Sequence, residues 1–501
     1  MMDCDLLIVG GGVNGCGIAR DAAGRGLSVL LVEQDDLAGH TSSASTKLIH
    51  GGLRYLEYYE FRLVREALIE REKLLRIAPH IIWPLRFVMP LPPGGRPGWM
   101  IRLGLFLYDH LGGRGSLPGS EGVSLKGPLG AGIRPGIARG FAYSDCWVQD
   151  SRLVVLNALD AREQGADIRT RTRFLGATRD GEGWTATIAD VDGERRVRAR
   201  AIVNAAGPWV DHVVGAARGA HPERPPRLVK GSHIIVPRLF EGEHAYILQN
   251  PDKRIVFAIP YERDFTLIGT TDVAWHDDPA APVISAEETA YLCESVGRYF
   301  ETAVRPEDVV HSYAGVRPLF DDGSASASAV TRDYVLKLGE EAGPQILSVF
   351  GGKITTYRRL AEHALEDLRK FYPQMGAAWT AEKPLVDGEL ADAPSFDEAF
   401  DRFARGASAV KPGLPADLIR VLARRHGTGI DDLLEDVKVP ADLGRHFGGH
   451  LYEAEVRYLM REEWAVEPDD VLWRRTKEGL VLTADQRAAF AQWMRELRPN
   501  T

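Results

Sequence analysis

At 501 residues, 45% hydrophobic and 26% charged, the chain has the composition of an ordinary globular protein with room for two or three domains. A net charge of −9 excludes a general nucleic-acid binder, which needs a basic face. Cys4, Cys16, Cys146 and Cys293 lie too far apart for a dithiol motif, a cysteine-only zinc site or a disulfide framework, and a reducing compartment is expected. Met1-Met2-Asp3-Cys4 runs straight into a strand without a signal-like flank, and no apolar run reaches membrane-spanning length. A cytoplasmic location is expected, with contact to a membrane surface left open.

Leu6 to Val9 is an apolar run with the length and branching of a buried parallel strand. Gly10, Gly12 and Gly15 follow in G-x-G-x-x-G spacing, which suits a tight turn, a pyrophosphate close to backbone N–H groups and a closely packed helix. A helix over about 15–23 ends at Gly24-Arg25-Gly26, and a strand over 28–32 delivers Glu33 about twenty residues on, where an acid meets an adenosine ribose. Strand, turn, helix, strand and acid in that order predict a dinucleotide site. An acid rather than an arginine at position 33 disfavours NADP.

The segment 41–55, Thr-Ser-Ser-Ala-Ser-Thr-Lys followed by Leu-Ile-His-Gly-Gly-Leu-Arg-Tyr, offers hydroxyls and free N–H groups to a phosphate or polyol; the alternative is a surface linker. Glu57 to Ile77 reads as an amphipathic helix. Pro90 to Pro128 is irregular and encloses the apolar stretch Trp99 to Tyr108, with Arg86, Arg96, Arg102 and Arg114 in or near it. Such a stretch lies in a bilayer interface or is buried between domains. A helix over 152–164 leads to short strands within 166–200, and Ala201 to Ala205 is an apolar strand ending in small residues. Joined to the first unit, it indicates a discontinuous FAD-binding domain rather than a two-lobed NAD dehydrogenase.

Arg227 to Pro318 alternates in the manner of an antiparallel sheet, as a substrate domain inserted into the nucleotide fold. Asp321 to Ser328 is a small-residue loop. Leu347 to Tyr357 repeats strand, glycine turn and helix, the helix running to about Phe371. Beyond about 385 the chain is helical, with capping boxes at Ser395–Glu398 and Thr483–Gln486 and a helix closing on Arg424-Arg425-His426-Gly427.

With one dinucleotide fingerprint, a reduced flavin must meet oxygen, a quinone or a protein as its acceptor. Arg54, Arg317, Arg332 and Lys353 sit on turn-flanked segments expected around the flavin; they are surface charges, or together they hold a phosphate or carboxylate. His233 opens a strand of the insert and is either a base for a hydroxyl proton or a hydrogen-bonded core histidine. Thr270 and Asp272 are candidate polar liners.

The segments GGGVNG (10–15), TSSASTKLIHGGLRYLE (41–57), YSDCW (143–147), KGSH (230–233), GTTD (269–272), GVRPL (315–319), TRDY (331–334), FGGKITTY (350–357) and LWRRTK (472–477) resemble the FAD-dependent respiratory glycerol-3-phosphate dehydrogenases of bacteria, over nearly the whole chain. The resemblance implies an α/β FAD-binding Rossmann-like domain of the D-amino-acid-oxidase and glycine-oxidase kind (1–75, 140–226 and 311–385). It further implies an inserted antiparallel β cap (76–139 and 227–310) and a C-terminal all-α domain (386–501). It implies oxidation of sn-glycerol 3-phosphate to dihydroxyacetone phosphate, with electrons passed to ubiquinone or another quinone. A homodimer held peripherally on lipid at the inner face of the cell membrane follows from the same likeness.

Carried over by position, His233 and Arg317 would be catalytic, and Arg54, Tyr55, Thr270, Arg332 and Lys353 would bind substrate. Cofactor contacts would come from Gly10, Gly12, Asn14, Gly15 and Glu33, from Thr41, Ser42, Ser45, Lys47 and His50, and from Gly207, Gly352 and Lys353. No metal site is expected. The family's usual threonine is Ala206 here, so no polar contact is expected there. The alternatives are an oxidase that makes peroxide and a flavoprotein that binds without turnover.

Overall fold

The computed structural model describes residues 3–113, 115–218, 225–321, 333–339, 343–391 and 393–497. Most of the small-residue loop expected at 321–328, and Arg332 with it, lie outside them.

Two large sheets organise the described chain. In the first, the strand Cys4–Val9 lies between Val29–Val32 and Gly193–Asn204, parallel to both, and Ile346–Phe350 adds in parallel beyond Asn204. Leu6, Leu7 and Ile8 are wholly buried, as a parallel strand covered on both faces requires. The helices Val13–Gly24, Asp150–Glu163 and Tyr357–Leu368 pack on one face around Ile18, Ala22, Leu153, Leu156 and Leu360. An antiparallel flap, Arg173–Asp180 and Gly183–Asp190, extends the sheet.

The second sheet forms the cap. Arg227–Pro237 is its central strand, flanked by Phe265–Gly269 and His311–Leu319, and every pairing is antiparallel except Ala245–Gln249 on Ile82–Pro90. Leu48–Ile49, Arg139–Val148 and His311–Leu319, all expected in the cofactor half, pair in this sheet instead. The reason is edge completion: Arg139–Val148 is buried almost throughout and satisfies Ile82–Pro90 along its whole length.

The amphipathic helix expected from Glu57 begins at Phe61, because Leu53–Tyr58 closes as a tight 3-10 turn between Gly52 and Tyr59, both at positive φ. The apolar stretch forms the helix Gly98–Leu111, which buries Ile101, Leu105 and Tyr108 but leaves Trp99 70% and Leu103 53% exposed. It is therefore not enclosed between domains.

The C-terminal helices Phe396–Val410, Ala416–His426, Glu453–Glu462 and Ala484–Leu497 share a separate core of Phe400, Leu418, Leu422, Leu459 and Phe490. Thr483 and Gln486 make the reciprocal capping bonds, whereas at Ser395 only the Glu398 N–H bond forms, since the Glu398 carboxylate accepts from Arg402. All four cysteines are free and buried. No helix among the described residues is long and apolar enough to cross a membrane.

Candidate functional site

A cavity of about 1050 Å³ runs from the first βαβ unit to the cap. At its nucleotide end Gly10 stands at φ +115°, where a Cβ would lie 2.5 Å from the Ala205 carbonyl oxygen; a Cβ on Gly15 would lie 1.9 Å from that of Gly10. Gly15 thus seats the helix against the strand and is not itself on the cavity wall. The helix presents its N-terminus to the cavity, with Val13 N–H donating to Ser42 Oγ at 3.0 Å. Glu33 accepts from the N–H groups of Gly11 (2.6 Å) and Asp35 (2.9 Å), and burial pushes its carboxyl up.

Midway, Asn14 donates through Nδ2 to the Gly351 carbonyl at 3.2 Å, while its Oδ1 is buried without a hydrogen-bond partner. Gly351 and Gly352 both take positive φ, and a Cβ at Gly352 would crowd the Asn14 amide at 2.8 Å. That turn carries Lys353, whose Nζ sits 3.8 Å over the Tyr55 ring. His50 lies behind it, its N–H on Thr355 Oγ1; burial, then Lys353 and Arg71, push the imidazole down to about 4.

At the cap end His233 stands in register with Gly269 on one side and Tyr313 on the other. Gly269 leaves room for the imidazole, since a Cβ there would lie 2.0 Å from Cδ2, and Tyr313 stacks on the ring at 4.8 Å between centroids. His233 Nε2 is 2.9 Å from Thr46 Oγ1, and Nδ1 is buried without a partner. Burial, then the charges of Lys47 and Arg317, hold the group well below its ordinary value, so the ring is neutral. Arg317 donates to Asp272 Oδ1 at 2.9 Å and to the Thr271 carbonyl at 3.3 Å. Gly231 makes space for that guanidinium beside Thr270.

The structure thus gathers Tyr55, His233, Thr270, Arg317 and Lys353 on one wall, Gly10, Gly12, Glu33 and Ser42 at the other end, and Asn14 midway. Thr41, Ser45, His50, Gly207 and Gly352 line the cavity between them, and Ala206 shows it no side-chain polar group. Lys47 does not line this cavity: its buried ammonium is taken by Asp150 (2.8 and 2.9 Å) and the Ser43 carbonyl (3.0 Å). Ser45 lines the wall, yet its hydroxyl also goes to Asp150, at 2.8 Å. Arg54 is off the lining and points at Tyr58, 3.4 Å from its hydroxyl.

Thr46, Tyr313 and Asp150 escaped sequence reasoning. For Asp150 the signal was weak, since half of the helix it opens is polar and only the structure shows that helix buried from Asp150 to Ala161. For Tyr313 there was none, since only the sheet register brings it to His233.

The cavity suits FAD. An orphaned amide oxygen at Asn14, a helix N-terminus, a buried acid at the first strand pair and a continuous channel to the cap are what a dinucleotide with a redox ring would satisfy.

Residues 5–358 match the family model of FAD dependent oxidoreductases, and 375–499 match the C-terminal domain of alpha-glycerophosphate oxidase. The chain is 54% identical to the D-erythritol 1-phosphate dehydrogenase of Brucella abortus, over 98% of this chain and 97% of that one. It is also 54% identical to a glycerol-3-phosphate dehydrogenase of Pseudomonas aeruginosa, over 99% and 96%. The crystal structure of the glycerol-3-phosphate dehydrogenase from Bacillus halodurans complexed with FAD superposes with a TM-score of 0.76 at 26% identity, covering 98% of this chain and 94% of that one. This chain therefore belongs to the FAD-dependent oxidoreductase family, within its glycerol-3-phosphate dehydrogenase branch, and FAD is its cofactor.

Proposed function

We propose that the enzyme oxidises sn-glycerol 3-phosphate to dihydroxyacetone phosphate and delivers the electrons to a membrane quinone such as ubiquinone. The observation that carries this reading is the continuity of one cavity from the dinucleotide cradle to the ring of Tyr55, Lys353, Arg317, Thr270 and His233. FAD, when bound, supplies a two-electron acceptor for the hydrogen on C2. The chain's own residues position the substrate and move its proton.

Lys353 and Tyr55 hold the phosphate, joined by Arg54 once it leaves Tyr58 and by Arg332. Arg317, braced by Asp272, donates to the C2 oxygen and favours its ionised form. His233 takes the C2 hydroxyl proton; being neutral in this setting, it is ready to accept one. Cofactor contacts are assigned to the two glycine turns at Gly10, Gly12 and Gly352, to Asn14, Glu33, Thr41, Ser42, His50 and Gly207, and to the backbone of Ser45.

For the acceptor side we infer peripheral attachment at the inner face of the cell membrane, as a homodimer. The helix Gly98–Leu111 offers Trp99, Met100, Leu103 and Phe106 to solvent and packs against the turn Leu53–Tyr58, where Tyr58 is also exposed. The same turn carries Arg54 and Tyr55, so a lipid-borne acceptor would arrive beside the substrate wall. An apolar face with basic neighbours fits an interfacial helix.

The test is anaerobic bleaching of the flavin absorbance by sn-glycerol 3-phosphate, followed by reoxidation with a short-chain ubiquinone. A relative of equal identity is named for a four-carbon polyol phosphate, so D-erythritol 1-phosphate is run alongside. Rapid bleaching by the three-carbon ester supports the reading. Bleaching by the four-carbon ester alone reassigns the substrate, and peroxide formation without quinone reduction reassigns the acceptor.

A further inference from the structure

Among the contacts between the C-terminal domain and the cofactor half, which include Arg152 with Glu463 and Arg162 with Glu462, one short segment reaches the loop after the second strand. It is Asp470–Arg475, which winds as a single π-helical turn with Thr476 N–H bonded to the Val471 carbonyl at 3.0 Å. Such turns are rare and cluster at functional positions. Here the turn sends two consecutive arginines to one carboxylate. Arg475 grips Asp36 in fork fashion, Nη1 to Oδ2 and Nη2 to Oδ1, each at 2.8 Å, and Arg474 Nε adds a bond to Oδ2 at 2.5 Å.

Asp36 is 2% exposed and stands three residues after Glu33, the acid at the nucleotide end. Burial pushes its carboxyl up, but Arg475 and Arg474 outweigh that and leave it below its ordinary value. The loop it anchors returns to the fingerprint: Ala38 N–H donates to the Gly11 carbonyl at 3.1 Å, and Gly39 N–H to the Asp36 carbonyl at 2.9 Å. Glu33, Gly11 and Asp36 thus form one hydrogen-bonded unit with its far end held from another domain.

A second grip lies two residues on. Lys477, itself buried, donates to Ser151 Oγ at 2.9 Å and to the Trp473 carbonyl. Ser151 N–H donates to Asp150, which in turn takes Lys47 and Ser45. Lys47 closes the loop through the Ser43 carbonyl, and Ser42 of that loop accepts from Val13 at the helix N-terminus. Both loops that flank the dinucleotide turn are therefore tied to the run Trp473-Arg474-Arg475-Thr476-Lys477.

We infer that the C-terminal domain is a cofactor-retention element, in which Arg474, Arg475 and Lys477 hold the two loops of the FAD cradle without touching the cavity themselves. They are positioning residues. Breaking the fork at Asp36 loosens the Glu33–Gly39 loop while Arg474 and Arg475 keep their bonds to Asp470 and Glu463, so affinity for FAD falls before the fold does.

The experiment uses the full-length protein stripped of flavin and titrated with FAD, read by quenching of flavin fluorescence, with melting temperature measured in parallel. Asp36→Asn and Arg475→Gln are expected to raise Kd for FAD at least tenfold. Leu422→Ala, in the C-terminal core and making none of the grip's polar bonds, is expected to lower the melting temperature while leaving Kd within twofold. Two results overturn the inference: wild-type Kd in both grip variants, or a Kd in Leu422→Ala that rises with theirs. Should Arg475→Gln not fold, Arg474→Ala carries the same expectation at threefold or more, since Arg475 still holds Asp36. Wild-type protein that takes up no FAD would instead sink the cofactor assignment, and the two failures are thereby distinguished.

Discussion

Lys353→Met removes the cation on the glycine turn while keeping most of the side chain's length. In the structure its ammonium is placed 3.8 Å over the Tyr55 ring, so the charge stands ready on the cavity wall before any ligand arrives. A hydrogen bond from a charged donor is worth about 1.5–3 kcal/mol, and the cation–π contact that holds the donor in place adds about 0.5–1 kcal/mol at a half-exposed site. Allowing for partial compensation by neighbouring arginines, a loss of about 2–3 kcal/mol in kcat/KM for glycerol 3-phosphate is expected, roughly 30- to 150-fold at 1.36 kcal/mol per decade. The phosphate lies away from the reacting carbon and is held alike in ground and transition states, so the loss belongs in KM, with kcat little changed. Steady-state kinetics with a dye acceptor read both constants. A loss below threefold would refute the phosphate role, as would an equal loss with glycerol, which has no phosphate to hold.

Because burial, Lys47 and Arg317 hold His233 below the ordinary imidazole value of 6.5, the acid limb of kcat/KM is expected below pH 6.5; a limb at or above it would remove His233 as the base. His233→Asn should slow stopped-flow flavin reduction by about 100-fold or more, and wild-type speed would count against the same assignment. His80 is wholly buried with both ring nitrogens unpartnered, and burial, then Arg152, Arg424 and His426, push it down to about 3. Its unfolded form takes up a proton below 6.5 while the native form stays neutral, so wild type loses about 2 kcal/mol through this group between pH 7 and pH 5. His80→Leu should escape that loss in urea titrations at the two pH values; identical pH dependence in the two proteins would contradict it. Leu103→Asp with Phe106→Asp should abolish co-sedimentation with anionic liposomes, and unchanged sedimentation would retire the helix Gly98–Leu111 as the anchor.

What was legible in the sequence is what short-range physics dictates. The first unit reads correctly because each of its parts is local: an apolar run, three glycines whose Cβ atoms have nowhere to go, and an acid at fixed separation. Element type survives in the cap strands and the C-terminal helices for the same reason. The start of the helix at Phe61 was obscured because apolar spacing continues through Leu53–Tyr58 although the backbone there turns through two left-handed residues. Sheet membership was harder still. Arg139–Val148 is buried on both faces, so it lacks the alternation that would mark a cap strand, and only its pairing with Ile82–Pro90 reveals its place.

The site divides along the same line. Gly10, Gly12 and Gly352 on the glycine turns, and Val13 at the helix N-terminus, line the cavity where local sequence placed them. Residues whose side chains matter were found as types but not as partners, because partnership is settled by register and burial. Lys47 shows this clearly: in a hydroxyl-rich loop beside a phosphate site a lysine suggests an anion contact, yet its ammonium is buried against Asp150 at the start of a buried helix, where a charge needs a partner. The lysine's charge is therefore used to fix the loop rather than to bind. What it contributes to chemistry is a field, since the same ammonium helps keep His233 unprotonated, and it places Thr46 against that imidazole. An Asp150→Asn variant separates these roles: if Lys47 serves by position, the variant loses FAD affinity and His233 function together. A direct phosphate contact by Lys47 would instead leave it free to bind more tightly.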